Sequence, residues 1–304
     1  MDSRPGFTSD QIVDFVTRRQ APTRAAAARE LPRFSIVMPS YRQGRMIEHS
    51  LLSVLNQNYP DLELIVVDGG SIDGTRGVLE RYNDDIAYWR SEPDGGQSEA
   101  LNKGFQRARG ELVGWLNSDD IYLPGALEFA ARVFQQQPEV QVVYGDWYTL
   151  GLDHRITAHY FSLPYSRAQL ITEGFFCNAQ AMFWRRTLHQ RFGEFDSRLH
   201  YTMDYDLMLR LTALAAPSAF YRTQRPLGCF RVYPGQKTGS LDPRIADEHA
   251  LIAQKERVAW KFGPRGRAVR CWYRAKRVCD YLRRGGPAYV MWKAGLARNP
   301  AENL

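Results

Sequence analysis

Short apolar runs alternate along the chain with longer segments in which apolar residues recur every three or four positions. The runs have the length of buried strands and cover residues 34–38, 62–67, 86–90 and 112–116. Helical spacing is found after each of the first three runs, over residues 44–57, 75–82 and 100–108. This alternation predicts an α/β fold with a mainly parallel, twisted sheet flanked by helices.

Polar residues follow the ends of the predicted strands. Asp68 comes directly after the second run and is followed by Gly69, and the third run leads into D-G-G-Q at 94–97. Because the carboxyl ends of parallel strands meet at one edge of a sheet, these loops should lie together and face a ligand. A carboxylate at Asp68 can accept hydrogen bonds from a base or a ribose, and glycine lets a flat ligand approach the backbone. The alternative for 94–97 is a tight turn.

The fourth run ends in an amide and two adjacent carboxylates, Asn117, Asp119 and Asp120. Hard oxygen ligands suit Mg²⁺ or Mn²⁺, and such ions commonly hold substrate phosphates. The alternative is that Asn117, Ser118 and Asp119 form a turn and cap the next helix. The first strand is not followed by G-x-G-x-x-G, and no Walker A lysine motif occurs. Both observations argue against a dinucleotide enzyme or a P-loop NTPase.

A carboxylate also precedes a later helical pattern. Residues 205–214 carry apolar side chains at helical spacing, which places Asp204 at the N-terminus of a helix. The helix dipole there favours an ionised carboxylate, so we expect a low pKa and a ready general base. The alternative is that Asp204 is an ordinary N-cap. Upstream, Gln180 opens an apolar segment, 181–184, that could line a sugar or acceptor site.

Composition and charge describe a folded protein with a basic C-terminal part. The chain has 304 residues, 44% of them hydrophobic, and a net charge of +7. From residue 255 onward there are thirteen Lys/Arg and three Asp/Glu, a balance of +10 that leaves −3 for the rest. No run is long enough to cross a bilayer, and no secretory signal is visible. Four cysteines without metal-site spacing indicate reduced thiols, so we expect a cytoplasmic protein.

The terminal segments are expected to flank the central domain. Residues 1–33 read as an extension with a short helix over 9–19 capped by Ser9. A helix is predicted over 246–262, and a basic helix with interleaved aromatics over 267–284, ended by G-G-P at 285–287. This basic helix could pack on the body, or it could contact an anionic membrane through 265–292. Nucleic acid is disfavoured because no recognition motif is present.

Taken in order, these motifs resemble those of the family 2 glycosyltransferases, which have the GT-A fold with a Rossmann-like nucleotide-binding half. The resemblance covers about residues 34–235. It rests on S-I-V-M-P-S-Y-R-Q (35–43), V-V-D-G-G-S-I-D-G-T (66–75), S-E-P-D-G-G-Q (91–97), G-W-L-N-S-D-D-I-Y-L-P (114–124), Q-A-M-F-W-R-R (180–186) and H-Y-T-M-D-Y-D-L-M-L-R-L (200–211). It implies a catalytic domain over 34–240, between an N-terminal extension, 1–33, and a basic helical extension, 241–304.

The resemblance implies a role for each matching position. Pro39 and Tyr41 would contact the nucleoside, Asp68 with Gly69 the base, and Asp94 with Gln97 the passing nucleotide and sugar. Asp119 and Asp120 match the metal and diphosphate motif, which Asn117 begins and which includes Ser118. Asp204 matches the general base. Because Met203 stands where many relatives carry Glu, Asp206 is a second candidate for helper or base.

The resemblance also implies a reaction. The family moves a sugar from a nucleotide diphosphate sugar, here expected to be a UDP-sugar, to an acceptor hydroxyl with inversion. The acceptor would be a glycan or lipid-linked glycan, and Mg²⁺ or Mn²⁺ would be required. The alternatives are a nucleotidyltransferase and a non-catalytic module that binds sugar nucleotides or polysaccharide. The expected location is the cytoplasm or the periphery of the inner face of the cell membrane.

Overall fold

The computed structural model describes residues 6–20, 31–237, 242–297 and 299. Parts of the predicted N-terminal extension, 1–5 and 21–30, and the predicted boundary at 240 and 241 lie outside the described residues. The strands are β1 Phe34–Ser40, β2 Leu62–Asp68, β3 Tyr88–Ser91, β4 Leu112–Trp115, β5 Ile121–Tyr122, β6 Val142–Leu150, β7 Ile156–Tyr160, β8 Met182–Arg185 and β9 Phe220–Arg231. The helices are α1 Ser9–Thr17, α2 Ile47–Leu55, α3 Thr75–Arg81, α4 Gln97–Arg107, α5 Ala126–Gln136, α6 Arg167–Glu173, α7 Arg186–Phe192, α8 Met203–Leu214, α9 Arg244–Lys255 and α10 Pro264–Lys293.

Within this part of the chain the nine strands form one sheet in the order β3-β2-β1-β4-β8-β6-β9-β5, and β7 pairs with β6. The four strands predicted from the apolar runs are parallel. The later half is mixed, because β8 runs antiparallel to both β4 and β6, while β9 is parallel to β6. The predicted α/β class is confirmed, with parallel pairing concentrated in the first half.

Alternation along the strands explains why the apolar runs are continuous. Ile36 and Met38 of β1 belong to one buried cluster, and Val37 between them belongs to another. The same alternation separates Leu64 from Ile65 in β2. Side chains alternate between the faces of a strand, and both faces of this half of the sheet are covered by helices. Ser35 and Glu63, which hydrogen-bond to each other at 2.5 Å, are the polar residues near the starts of β1 and β2, and both strands are then apolar until their carboxyl ends.

The N-terminal helix α1 is fixed to the body at both ends. Its N-cap is Thr8, which forms a capping box with Gln11, so the predicted cap at Ser9 is wrong. The Ser9 hydroxyl instead accepts a hydrogen bond of 3.0 Å from the backbone of Ile156. At the other end the Asn56 side chain donates to the carbonyls of Phe15 and Arg18, at 2.6 and 2.8 Å.

The C-terminal helices also pack on the body. Contacts join α10 to α6, and Glu173 at the end of α6 pairs with Arg274 at 3.0 Å and Arg277 at 2.7 Å. The predicted stop at 285–287 is observed as a kink, since Gly286 has φ of 69° and the helix then resumes. Tyr289 beyond the kink is buried and stacks on Phe161. None of the helices in the described ranges has the length and apolar character needed to cross a membrane.

Candidate functional site

A cavity of about 860 Å³ lies where the parallel strands end. Its walls come from the loops after β1, β2, β3 and β4, from His200 before α8, and from residues after β9. Eight of the predicted site residues line it: Pro39, Tyr41, Gly69, Asp94, Gln97, Asn117, Ser118 and Asp119. The other five are not among its lining residues: Asp68, Asp120, Gln180, Asp204 and Asp206. The strand-end loops therefore gather as the sequence predicted.

One end of the cavity has a flat-sided cradle around Gly69. A Cβ at this position would lie 3.2 Å from the Tyr41 ring and 3.1 Å from Oδ1 of Asp94. Tyr41 is 55% exposed, so its ring offers a face to the cavity. The Asp94 carboxylate accepts a hydrogen bond from the Gly96 N–H at 2.8 Å, and burial raises its pKa. An aromatic face, a bare backbone and a carboxylate suit a planar, hydrogen-bonding ring.

Asp68 supports this cradle from behind. It is fully buried, and its carboxylate accepts hydrogen bonds from the Ser71 N–H at 2.8 Å, the Ser71 hydroxyl at 2.6 Å and the Ser91 hydroxyl at 2.7 Å. These donors come from the loop after β2 and from the end of β3. In this arrangement Asp68 holds the loop that carries Gly69, and Gly69 rather than Asp68 borders the cavity.

Asn117 is the centre of a hydrogen-bonded chain. Its Oδ1 accepts from Trp115 Nε1 at 2.7 Å and from Gln97 Nε2 at 2.8 Å, and its Nδ2 donates to Asp120 at 3.1 Å. Lys237 Nζ donates to Oε1 of the same Gln97 at 3.1 Å. These bonds fix the Asn117 amide and connect the loop after β4 to the loops that surround it.

Asp120 anchors that loop to the end of β9. It is 1% exposed, and besides Asn117 it accepts the Arg231 N–H at 2.9 Å. The Arg231 side chain in turn donates to the Asp119 carbonyl at 2.7 Å. Burial raises the pKa of the Asp120 carboxyl well above its usual value, and the neighbouring Asp119 charge raises it further. Both Asp120 oxygens therefore meet protein donors.

Asp119 is the member of the pair that lines the cavity. Its Oδ2 accepts from the Tyr233 hydroxyl at 2.8 Å, and that hydroxyl accepts from Gln43 Nε2 at 3.1 Å. Burial raises the pKa of Asp119. No group of three or more His, Cys, Asp or Glu in the described residues could hold a metal ion. One cavity-lining carboxylate still fits an Mg²⁺-type ion, because such ions keep waters and substrate phosphates as their other ligands.

Asp204 lies in the first turn of α8, where the charge of the cavity-lining Lys237 acts on it. The helix begins at Met203 with Thr202 at the N-cap, so the interpretation of Asp204 as the N-cap is wrong. Burial raises its pKa to about 6, although the Tyr205 N–H, at 2.8 Å, and the charge of Lys237 act in the opposite direction. The expectation of a low pKa is therefore wrong as well, because burial outweighs the helix terminus.

Glu248 of α9 holds the segment that leads to Asp204. Its buried carboxylate accepts hydrogen bonds from three consecutive backbone N–H groups, those of His200, Tyr201 and Thr202, at 2.9, 3.0 and 2.9 Å. The Thr202 hydroxyl adds a fourth at 2.8 Å. Burial raises the pKa of Glu248, but these hydrogen bonds lower it more, and the net pKa is lowered. The C-terminal segment thus fixes the turn before the candidate base.

Asp206 and Gln180 occupy buried positions away from the cavity lining. Asp206 is fully buried and pairs with Arg210 at 2.5 Å and Lys255 at 3.2 Å, which ties α8 to α9. Gln180 is 2% exposed. Sequence reasoning missed Gln43, Tyr233 and Glu248. Gln43 stands in the S-Y-R-Q motif and Tyr233 in R-V-Y-P-G-Q-K-T at 231–238, which were their only signals, and Glu248 has no local signal.

Solved structures with this architecture define its class. A 1–349 fragment of S. aureus TarS in complex with UDP-GlcNAc matches with a TM-score of 0.60 over 76% of this chain and 67% of that chain, at 18% identity. The mannosyltransferase PcManGT from Pyrobaculum calidifontis, in complex with GDP-Man and Mn²⁺, matches with a TM-score of 0.56 over 95% and 80%, at 19% identity. The fold is that of the GT-A glycosyltransferases.

The sequence comparisons agree with the fold and are more specific. This chain belongs to glycosyl transferase family 2, whose model matches residues 35–192. It is 30% identical over 228 residues to the uncharacterized glycosyltransferase RT0329 of Rickettsia typhi, which covers 72% of this chain and 70% of that protein. It is 28% identical over 202 residues to the chondroitin synthase of Pasteurella multocida, which covers 66% of this chain but 21% of the synthase. The protein is therefore a glycosyltransferase.

Proposed function

We propose that this glycosyltransferase moves a sugar from a nucleotide diphosphate sugar, a UDP-sugar, to an acceptor hydroxyl with inversion and with a divalent metal. The observation that carries the proposal is one cavity bordered by the Gly69 cradle, by Asp119 and by Lys237, whose charge lowers the pKa of Asp204. The nucleoside would lie against Gly69, Tyr41 and Asp94. The diphosphate would then extend toward Asp119. A solved relative of the same fold in complex with UDP-GlcNAc supports this class of donor.

The metal would be Mg²⁺ or Mn²⁺ held by Asp119 on the protein side. When bound, the ion would neutralise the negative charge that develops on the departing diphosphate. Asp120 was predicted as a second ligand, but its oxygens meet Arg231 and Asn117 in this structure. We assign it to holding the loop in place. Tyr233 orients the Asp119 carboxylate, and Lys237 adds positive charge on the same wall of the cavity.

The base would be Asp204. A carboxyl with a pKa of about 6 is mostly ionised at neutral pH, yet it is basic enough to accept a proton from an attacking hydroxyl. The acceptor oxygen would attack the anomeric carbon from the side opposite the diphosphate. The C–O bond to the acceptor forms as the bond to the diphosphate breaks, and the proton passes to Asp204. One displacement inverts the anomeric carbon without a covalent enzyme intermediate.

The acceptor we propose is the hydroxyl of a glycan or a lipid-linked glycan. Similarity to a chondroitin synthase supports a polysaccharide acceptor. Two other functions are alternatives to glycosyl transfer. A nucleotidyltransferase would share an α/β sheet and metal carboxylates but would consume a nucleoside triphosphate. A sugar-nucleotide or polysaccharide binding module would share the cavity without catalysing any reaction.

The test is to incubate the protein with a panel of nucleotide sugars, with and without Mn²⁺, and to analyse the nucleotide products. Slow release of a nucleoside diphosphate that needs Mn²⁺ and is lost in Asp204→Asn supports the proposal. Pyrophosphate released from a nucleoside triphosphate and a sugar phosphate would instead show a nucleotidyltransferase. Donor binding without turnover, equal in wild type and Asp204→Asn, would show a binding module.

A further inference from the structure

One face of helix α10 packs against the body of the protein. Arg270 donates to the Thr172 carbonyl at 2.9 Å, the Tyr273 hydroxyl accepts from Ser166 at 2.7 Å, and Arg277 pairs with Glu173 at 2.7 Å. These positions recur at three- and four-residue intervals, which places them on one side of a helix. Arg284 continues the same side and pairs with the buried Asp146.

The opposite face of α10 is exposed and apolar. At 100° per residue, the positions farthest from the body lie at 268, 271, 272, 275, 278, 279 and 282. None of them is charged, and all are exposed: Ala268, Cys271, Trp272, Ala275, Val278, Cys279 and Leu282. Trp272 is 63% exposed, Val278 42% and Leu282 45%. We call these seven residues the outer stripe. A continuous exposed stripe of this kind marks an interaction surface.

Basic side chains border the outer stripe on both sides. Arg265, Lys276 and Arg283 follow one edge, and Arg267 lies on the other. The Lys276 ammonium lies 5.9 Å from the centre of the Trp272 ring. No acidic residue lies on either edge, and the only acid of the helix, Asp280, pairs with Arg222 at 3.3 Å. The exposed surface of α10 is thus apolar at its centre and cationic at its margins.

We propose that the outer stripe and its basic margins bind the surface of an anionic phospholipid bilayer. A helix lying in the interface buries an apolar face with a tryptophan at the level of the headgroups, while lysine and arginine reach the lipid phosphates. The +10 balance from residue 255 onward, against −3 for the rest, orients the molecule in the field of such a surface. The surface is distinct from the cavity, so this proposal does not depend on the proposed reaction.

The same features argue against two other occupants. A second copy of this chain docked across a two-fold axis would bring the same arginine-rich margins face to face, and like charges would repel. A nucleic acid would use the basic margins but would leave the central apolar residues without a partner. Trp272, Val278 and Leu282 form the apolar centre of the surface. A lipid interface provides an apolar environment for this centre and phosphates for the basic margins.

The first experiment measures sedimentation of the full-length protein with phosphatidylglycerol vesicles and with phosphatidylcholine vesicles. We expect binding to the anionic vesicles that weakens in high salt. Trp272→Gln/Leu282→Gln should bind about tenfold more weakly or worse, because two exposed apolar side chains no longer enter the interface. The matched control is Leu152→Gln/Arg155→Gln, which removes an exposed leucine and a basic charge from the turn between β6 and β7 and should bind like wild type.

The second experiment uses the cysteines of the chain. Cys177 and Cys229 are buried, whereas Cys279 is exposed on the outer stripe. A polarity-sensitive thiol fluorophore on Cys279, in a Cys271→Ser background, should shift its emission to shorter wavelength when anionic vesicles are added. The proposal is overturned if the emission does not change, or if the two double variants bind vesicles equally. It is also overturned if DNA or self-association, but not vesicles, protects the outer stripe.

Discussion

Asp119 and Asp120 are chemically identical neighbours with different surroundings. Asp119 lines the cavity and shares its carboxylate with Tyr233, whereas Asp120 turns into the protein and meets Arg231 and Asn117. Residues 117–120 form a turn in which the Asp120 N–H donates to the Asn117 carbonyl at 3.1 Å, and this turn presents one carboxylate to the cavity and buries the next as an anchor. Substitution at the two positions should therefore have different consequences.

We predict that Asp119→Asn weakens Mn²⁺-dependent donor binding at least tenfold and leaves the metal-free melting temperature near that of wild type. The neutral amide keeps the side-chain volume but removes the charge that would hold the ion. Asp120→Asn should lower the melting temperature without metal, at a cost of about 1–3 kcal/mol, because an amide nitrogen faces a buried N–H donor. Thermal shift with and without Mn²⁺ and a UDP-sugar measures both. Loss of Mn²⁺ dependence in Asp120→Asn alone would contradict this assignment.

The base assignment gives a second prediction at this scale. Asp204→Asn should keep the donor affinity and lower the rate of transfer by about 10²–10⁴, the usual share of a general base. Asp206→Asn is the control, because it removes the charge that faces Arg210 and Lys255 and should mainly destabilise the fold. Urea unfolding and single-turnover transfer separate the two effects. A fully active Asp204→Asn with an inactive but stable Asp206→Asn would move the base to Asp206.

The pH dependence follows from the same carboxyl. Because the ionised form is the base, kcat/KM should fall as the pH drops through about 6, the pKa of Asp204. The charge of Lys237 lowers this pKa and that of Glu248 raises it. Lys237→Met should therefore move the midpoint to higher pH, and Glu248→Gln should move it to lower pH. Identical midpoints in wild type and both variants would show that another group controls the profile.

At the scale of elements, the sequence predicts those strands and helices whose bounds depend on the local pattern of apolar and polar residues. β1, β2 and β4 agree with the apolar runs because both of their faces are buried. The edge strand β3 is partly exposed and begins at Tyr88, two residues later than predicted. Each of these strands ends in a polar loop. Helix ends are less predictable. Thr8 rather than Ser9 caps α1, and α10 resumes after Gly286, because burial of Tyr289 against Phe161 stabilises the second part of the helix. Tertiary contacts outweigh the local stop signal there.

The parts of the site that the sequence did not reveal depend on contacts between distant residues. Tyr233 reaches Asp119 across 114 positions of the chain, and Glu248 reaches Thr202 across 46. The residues around Tyr233 and Glu248 do not indicate which distant side chain or backbone group each of them contacts. The pKa of Asp204 was predicted in the wrong direction for a related reason, since the helix terminus is visible in the sequence and the burial around it is not.

Glu248 provides the prediction at this scale. Glu248→Ala should lower kcat about tenfold or more with little change in donor KM, because three backbone N–H groups before α8 lose their acceptor and the turn that positions Asp204 loosens. Glu248→Gln keeps one acceptor oxygen and should recover part of the rate. Steady-state kinetics at saturating Mn²⁺ gives the comparison. If Glu248→Gln loses as much kcat as Glu248→Ala, and both variants lose the same amount of thermal stability, then the role of Glu248 is purely structural.

At the scale of the whole molecule, the strongly basic helix α10 packs on the body of the protein, so its positive charges need partners there. The basic residues of α10 divide into two sets, one directed to the body and one to solvent. The inner set meets two buried carboxylates, Glu173 at the end of α6 and Asp146 in β6. These acids allow a strongly basic helix to dock on a slightly acidic body, and the outer set is left available for an anionic partner.

Docking of α10 should therefore depend on Glu173, whose side chain is 4% exposed, while its partners Arg274 and Arg277 are 62% and 30% exposed. We predict that Glu173→Gln lowers the free energy of unfolding by about 1–3 kcal/mol, because a buried acceptor loses its charge while the arginines keep access to water. Hydrogen exchange should rise first in residues 264–293. Glu128→Gln, which breaks the exposed pair with Arg132, should change stability by less than about 1 kcal/mol. If both variants unfold alike in urea and α10 exchanges at the wild-type rate in Glu173→Gln, the helix is held by the aromatic contacts around Tyr289 instead.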